Sequence, residues 1–192
     1  LNHELKVIDS YNKNKLVPFG EFLPFEKFLI KMGLKKITYG YESFSKGKER
    51  KIIELKNVSF DFKLLPLICY EIIYSGQLKE NNNNYDFIIN LSEDGWFGQS
   101  IGPEQHFVHA IFRSIEEGKN IIRSANNGFS AVIDPYGDVI SKIESTQKGV
   151  IEVKNFQNTK KTLFSIIGNK MFFYFILFYI SLIFLINKSE KE

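Results

Sequence analysis

Apolar and polar residues alternate from Asn2 to Asp9, which predicts a strand over residues 4–12. Leu16–Pro24 interrupts it, with Pro18, Gly20 and Pro24 as breakers. Phe25, Phe28, Leu29 and Met32 then recur on one side of a helical wheel, with Glu26, Lys27 and Lys31 elsewhere. That spacing predicts a short helix over 25–32, ended by Gly33. Residues 34–50 are polar and rich in Tyr, Lys and Gly, the pattern of a long surface excursion. Runs at 51–55 and 58–62 suit a hairpin, and the four asparagines at 81–84 suit a solvated loop. Phe87–Leu91 reads as a strand leading into Ser92–Gly98. Phe107, Ile111 and Ile115 fall at i, i+4 and i+8, predicting a helix over 104–119 with Pro103 in its first turn. A strand at Asn120–Ser124, a hairpin joining Ser130–Asp134 to Val139–Ile143 and a last strand at Val150–Val153 complete the series. Strands mixed with helices and long connections predict an α/β sandwich.

The tail has a different character. Met171–Ile186 is a run of 16 residues without a charge, apolar on every face and flanked by Asn169-Lys170 and Asn187-Lys188. At 1.5 Å per residue it spans about 24 Å against a hydrocarbon core of about 30 Å. The flanks suit a transmembrane helix with some snorkelling or thinning, and a buried core helix is the competing reading. The expected organisation is a domain over 1–154, a polar linker over 155–170, a membrane helix over 171–187 and a tail over 188–192. Leu1 is not a methionine and the first residues read as a strand under way, so the natural N-terminus is expected upstream.

Composition narrows the partners. Net charge is +3 and the charges are mixed in sign, with no basic stripe interleaved with aromatics, so nucleic acid is not expected. The 19 phenylalanines are explained in part by the tail and in part by residues 19–32. No cofactor is expected, and His106 and His109, three apart, lack evident carboxylate partners for a metal. His106 reads as a packed helix residue.

Candidate chemistry centres on Cys69, the one cysteine in the chain. Leu64–Ile68 is an apolar run that stops at Cys69-Tyr70-Glu71. A strand that ends so abruptly can present a nucleophile on a sharp turn, near helix-start N–H groups that favour a thiolate. A buried structural cysteine is the plainer alternative. Lys13 read alone is a solvated lysine like Lys15, and Glu71 read alone is a helix-start carboxylate.

Several segments together change that reading. Tyr11–Glu21 (YNKNKLVPFGE), Ile68–Glu71 (ICYE), Asn90-Leu91-Ser92 with Asp94, Trp96-Phe97-Gly98, Gly102-Pro103 with Gln105-His106, Arg113–Glu116, Arg123–Gly128 and Ile133–Gly137 occur in order. The chain thereby resembles the carbon–nitrogen hydrolase (nitrilase) superfamily, and within it the branch that N-acylates apolipoproteins, to which LVPFGE and the terminal apolar helix point. The resemblance implies a four-layer α-β-β-α sandwich and a Glu-Lys-Cys triad. It puts Cys69 as nucleophile and Lys13 as the triad lysine. Glu21, Tyr70 and Glu71 fall on supporting positions, Trp96 on an aromatic position near the acyl pocket, and Phe19 in a Phe-rich arm over the site. A phospholipid acyl donor, a diacylglyceryl apolipoprotein acceptor, the bacterial inner membrane and a domain facing the periplasm follow from the same resemblance, as does a monomer.

Lys13 can lower the barrier in two ways, by charge beside the thiolate and by donating, with the Tyr70 N–H, to a tetrahedral oxyanion. Three departures stand out. The family's upstream membrane helices are expected to be missing from this chain. The triad glutamate normally lies well upstream of the lysine, and Lys13 is almost at the chain start, so that base is expected to be absent and the chain alone nearly inert. Residues 92–95 read Ser-Glu-Asp-Gly, where Gly95 is expected to loosen the loop. Lysines crowd the domain side of the apolar helix, which by the positive-inside rule opposes a periplasmic domain. A membrane-tethered amidase and a non-catalytic anchored domain are the alternative functions.

Overall fold

The computed structural model describes residues 7–33, 43–57, 60–78, 84–153 and 161–189. Six strands form one sheet in chain order: β1 (Ile53–Asn57), β2 (Phe60–Ile68), β3 (Phe87–Glu93), β4 (Asn120–Asn126), β5 (Ser130–Ile133) and β6 (Val139–Ile143). β2, β3 and β4 run parallel; the outer pairs β1–β2, β4–β5 and β5–β6 are antiparallel. Helix α1 (Glu26–Lys31) precedes the sheet, and α2 (Gly102–Glu117) covers one of its faces. Short helix α3 (Leu163–Ile167) and the long apolar α4 (Lys170–Ser189) follow.

The inner face is built in rows across the parallel strands. Leu65, Ile88 and Ile121 are in register and form an apolar row beneath Phe107 and Ala110 of α2. Burial of each such side chain stabilises by about 1.5–3 kcal/mol. The next row towards the strand C-termini is Leu67, Asn90 and Arg123. The core therefore turns polar one row before the strands end, which is where ligands gather in sheets of this kind. The opposite face carries an apolar groove of about 360 Å³ lined by residues that include Ile53, Leu64, Pro66, Ile68, Ile89 and Leu91. A second sheet would cover that face in a four-layer sandwich; the described residues supply one β layer and the α layer on it.

Several local expectations need correction. Residues 7–12 are irregular, because their polar groups serve other partners described below, and residues 4–6 lie outside the described residues. Residues 150–153 pair with no strand among the described residues, and Val150 is almost fully exposed. The excursion at 34–50 is not all surface: residues 34–42 lie outside the described residues, but Gly47 and Arg50 are buried. The 155–170 segment contains α3, capped by Thr162, whose Oγ1 accepts from the Ser165 N–H at 2.9 Å and donates to the Glu116 carbonyl. Residues 154–160 and 190–192, and three of the four asparagines at 81–84, lie outside the described residues.

α4 is 20 residues long, which at 1.5 Å per residue is about 30 Å. Its Lys170–Asn187 window has mean hydropathy 1.9 and is not buried against the domain, so it is long and apolar enough to cross a membrane. The helix runs past both ends of the apolar run, carrying Lys170 at one end and Asn187 at the other. Asn169, immediately before it, donates to the Ser75 carbonyl at 2.9 Å and ties the start of α4 to the turn that follows Cys69–Ile73.

Candidate active site

β2 ends at Ile68, and a single 3₁₀ stretch, Cys69–Ile73, begins at once. Cys69 has φ 51°, a left-handed conformation that costs a non-glycine residue about 1–3 kcal/mol and persists where the surroundings over-determine it. The thiol is partly accessible. The abrupt stop anticipated from the apolar run is thus a sharp elbow, and two sets of bonds hold it.

The first set converges on Glu71, which is fully buried. Its Oε1 accepts from the Tyr11 hydroxyl at 2.8 Å, the Asn14 N–H at 2.8 Å and the Lys15 N–H at 3.0 Å. Its Oε2 accepts from the Ile68 N–H at 2.8 Å. The Arg50 guanidinium lies 3.9 Å from Oε1. One carboxylate two residues after Cys69 therefore fastens the segment 11–15 to the elbow, and Lys13 sits inside that segment. Burial, reinforced by the Glu71 charge, pushes the Tyr11 phenol well above its ordinary value, so it stays a donor.

Lys13 Nζ pairs with Glu21 Oε1 at 2.6 Å, and both side chains are largely shielded. Glu21 Oε2 accepts from the Val17 N–H at 2.9 Å, closing the turn that carries it. Lys13 is therefore held by its own carboxylate on one side, while its backbone is anchored through Glu71 on the other. Tyr70 sets its ring edge-on to Tyr74 at 5.6 Å. Phe19 and Trp96 are exposed, Phe19 in the 17–22 turn and Trp96 on the 3₁₀ turn Asp94–Phe97.

The second set lies beneath the elbow and was not assigned a role from sequence. His106 Nε2 is 3.2 Å from the Cys69 carbonyl oxygen, which can only accept, so Nε2 carries the proton of that bond. Asn90 Nδ2 reaches the same carbonyl at 3.5 Å and the Leu67 carbonyl at 3.3 Å. His106 Nδ1 is 2.8 Å from Asp94 Oδ1, which also accepts from the Ser92 hydroxyl at 2.6 Å. Arg123 donates to Asp94 Oδ2 at 2.7 Å, to Asn90 Oδ1, and to the Phe129 carbonyl at 3.2 Å. Asn90, Asp94 and Arg123 are fully buried, or nearly so. Gly128 is required here, because a Cβ at that position would collide with Asp94. The loop at 92–95 is tied by Glu93, whose Oε1 accepts from the Gly95 N–H at 2.8 Å, and whose Oε2 accepts from Asn126 at 2.6 Å.

Burial alone would raise the Asp94 carboxyl, but its bond with His106 and the Arg123 charge, with help from Ser92, hold it below its ordinary value of 3.8. The Arg123 guanidinium is pushed down by burial, with Asp94 and the nearby Cys69 sulfur acting against that shift. The pH consequence follows from linkage. A carboxyl depressed on folding contributes its full stability above the unfolded value and loses it as pH falls through the folded value. Stability is therefore expected to drop below about pH 4. Asp94→Asn should flatten that acid slope and lower stability at neutral pH; urea melts at several pH values check this.

A metal is not accommodated by any cluster of three or more His, Cys, Asp or Glu among the described residues. What the arrangement offers is a thiol on a strained elbow and a half-buried ammonium–carboxylate pair, its lysine carried by the segment bonded to that elbow.

The model of the carbon–nitrogen hydrolase family matches residues 1–155. The apolipoprotein N-acyltransferase of Rhodopseudomonas palustris is 41% identical over 152 residues, covering 79% of this chain and 28% of that protein. The protein of the same name from Rickettsia prowazekii is 37% identical over 184 residues, covering 95% and 36% respectively. The chain thus spans about a third of the length of the curated relatives it matches. Among solved structures, a nitrilase-superfamily amidase from Nesterenkonia AN1 gives a TM-score of 0.48 at 16% identity, covering 73% of this chain and 48% of that one. With a family model matched over most of its length, the chain belongs to the carbon–nitrogen hydrolase family.

Proposed function

We propose that this chain carries the nucleophile and lysine of an apolipoprotein N-acyltransferase. The Cys69 thiolate attacks the ester carbonyl of a membrane phospholipid, and the tetrahedral intermediate collapses to a thioester with loss of a lysophospholipid alcohol, which takes up the thiol proton. The free α-amino group of a diacylglyceryl-cysteine apolipoprotein then attacks the thioester. The amide forms, the amine gives up a proton, and the Cys69 thiol is restored. Lys13 and the Tyr70 N–H donate to the oxyanion in each step, the type of contact whose loss costs about 3–4 kcal/mol of barrier. Glu21 holds Lys13, and Trp96 and Phe19 meet acyl chains.

The observation that carries this reading is Glu71, bonded at once to the segment of Lys13 and to the strand end before Cys69. Relatives named apolipoprotein N-acyltransferase and a helix able to cross a membrane support the lipid substrates. The proposed setting is the inner membrane with the domain on the periplasmic side; protease digestion of the domain in spheroplasts tests the orientation. Membranes from cells that make the protein at the length of its relatives, given a diacylglyceryl lipopeptide and phospholipid, should add one acyl mass to the peptide amine; Cys69→Ala in that protein should not, and the 192-residue chain alone should do so barely at all. Release of free fatty acid or of ammonia from small amides, with no acyl peptide, would select a hydrolase instead. Acylation that survives Cys69→Ala would select a non-catalytic role for this domain.

The arm at 19–32 supports a membrane-facing site. Phe25, Phe28, Ile30 and Met32 are all more than half exposed around α1, whose lysines are Lys27 and Lys31. Apolar side chains beside lysines suit an interfacial helix. Phe25→Ser with Phe28→Ser, in the chain truncated before α4, should reduce binding to phospholipid vesicles several-fold in a flotation assay. Unchanged binding would remove the arm from the account.

A further inference from the structure

A second feature beside Lys13 has no part in the chemistry so far. A cleft of about 580 Å³ is lined by residues that include Lys13, Lys46, Lys48, Lys51, Ser45 and Glu49. That volume lies within the range of about 300–1,000 Å³ common to small-molecule sites.

Its wall is built by a close crossing of two segments. The Gly47 N–H donates to the Lys13 carbonyl at 2.7 Å, and Asn14 Nδ2 donates to the Gly47 carbonyl at 3.3 Å. A Cβ on Gly47 would collide with the Asn12 carbonyl, so only glycine permits the crossing. Lys46 and Lys48 thereby flank a residue pinned against the backbone of Lys13.

The charges in the cleft are unequally satisfied. Lys13 is paired with Glu21, and Lys51 with Asp9. Lys46 and Lys48 have no carboxylate partner among the described residues, and Glu49 is the one acidic residue in the lining. Two flexible ammonium groups on one cleft are suited to a phosphate oxyanion as point charges. Phe44, one residue before Ser45 of the lining, is 60% exposed, and its N–H donates to the Glu21 carbonyl at 2.9 Å.

We propose that this cleft is a headgroup subsite that holds the phosphodiester of the acyl-donor phospholipid on Lys46 and Lys48, beside Lys13. The assignment rests on the reading of the site as a phospholipid acyltransferase, and it names the part of the donor that the cleft reads. The phosphate binds without covalent change, and the ester carbonyl of the same lipid is left free to approach Cys69.

Lysine footprinting of the detergent-solubilised chain tests this without needing turnover. Acetylation of each lysine by an N-hydroxysuccinimide ester is followed by mass spectrometry, with Lys142, which pairs with Glu144 on the far side of the sheet, as internal control. Dihexanoylphosphatidylcholine, which has a phosphodiester but no reactive amine, should slow acetylation of Lys46 and Lys48 at least threefold and leave Lys142 unchanged. Dihexanoylglycerol, with the same chains and no phosphate, should protect neither. Equal protection by dihexanoylglycerol would overturn phosphate recognition. Equal protection by inorganic phosphate at the same concentration would overturn the lipid as its source. No protection by any of the three would overturn the subsite altogether. Comparing this footprint with the transfer assay on the same unsubstituted protein separates the two proposals: protection of Lys46 and Lys48 in a protein that proves unable to transfer acyl chains would leave the subsite standing and remove only the transfer reaction.

Discussion

Replacing Glu71 with leucine is expected to destroy the site and much of the stability with one substitution. The carboxylate is fully buried and accepts four hydrogen bonds, from Tyr11, Asn14, Lys15 and Ile68. Its removal strands three backbone N–H groups and a phenol, and takes the nearest carboxylate from the buried Arg50 guanidinium. Unsatisfied buried donors cost about 1–3 kcal/mol each, and a buried charge robbed of its partner about 3–5 kcal/mol. These penalties overlap through relaxation, so a loss of about 3–5 kcal/mol is expected in urea unfolding. Glu71→Gln keeps one acceptor oxygen. With that oxygen facing Tyr11, Asn14 and Lys15, its NH₂ meets the Ile68 N–H, a clash of two donors at the elbow. The glutamine variant should fold, with roughly a third of the stability loss, yet still transfer acyl chains poorly because the elbow loosens. A glutamine variant with full activity would show that the carboxylate does not fix Lys13 against Cys69.

The second large effect is expected from Arg123. Its guanidinium is fully buried, paired with Asp94, and bonded to Asn90 and the Phe129 carbonyl. Arg123→Met leaves the Asp94 carboxylate buried with His106 and Ser92 as its remaining partners. The expected loss is about 3–5 kcal/mol, most of it the cost of an uncompensated charge. The double variant Arg123→Met with Asp94→Leu removes both charges and should recover at least about 1–2 kcal/mol of that loss. A thermodynamic cycle in urea measures the coupling directly. If the double variant were as unstable as the sum of the two single ones, the two residues would not be acting as a pair. Because Asp94 also orients His106 against the Cys69 carbonyl, the double variant should recover stability without recovering reactivity of the thiol.

Much of this molecule could be read from residue patterns because the relevant forces are local. The stop of Leu64–Ile68 at Cys69 is visible since an apolar strand leaves its sheet in one residue, and the hairpin at 130–143 is visible since Pro135-Tyr136-Gly137-Asp138 can only turn. The helix α2 is visible in the spacing of Phe107, Ile111 and Ile115, but of that stripe Phe107 is buried and Ile115 is exposed, the buried face passing through Ala110 instead. Where the reading failed, the decisive partners were remote. Residues 7–12 alternate like a strand, but Tyr11 donates to Glu71, 60 residues away, and nothing in the alternation shows it. Gly47 looks like part of a solvated excursion because its need for close approach is created by Asn12, not by its neighbours. Val150 belongs to an alternating run but buries nothing.

The candidate site divides the same way. Lys13, Glu21, Cys69 and Glu71 were named from a motif pattern, and the pairing of Lys13 with Glu21 across eight residues is a short-range matter. From its place in the helix pattern His106 reads as a packed residue; it is packed, and it also touches the Cys69 carbonyl. A cue existed for its partners. Asn90 and Arg123 each interrupt an apolar strand at an inward-facing position, in FIINLSE and NIIRSAN. A polar side chain at an inward position must find partners, so two in neighbouring strands point to a network. The identity of Asp94 as the hub could not be reached that way, because it depends on the 3₁₀ turn that brings the residue back over β4.

The acyl-enzyme on Cys69 is the point on which the functional account turns, and it can be seen by mass. Membranes from cells that make the protein at the length of its relatives are supplied with phospholipid bearing isotopically labelled acyl chains, with no lipopeptide acceptor, then quenched in acid and digested. The account predicts the labelled acyl mass on the peptide that contains Cys69, removed by neutral hydroxylamine, absent in Cys69→Ala and reduced at least a hundredfold in Lys13→Met, in line with the loss of one oxyanion donor. Labelled lipopeptide formed on adding acceptor, with no acyl group ever found on Cys69, would contradict it.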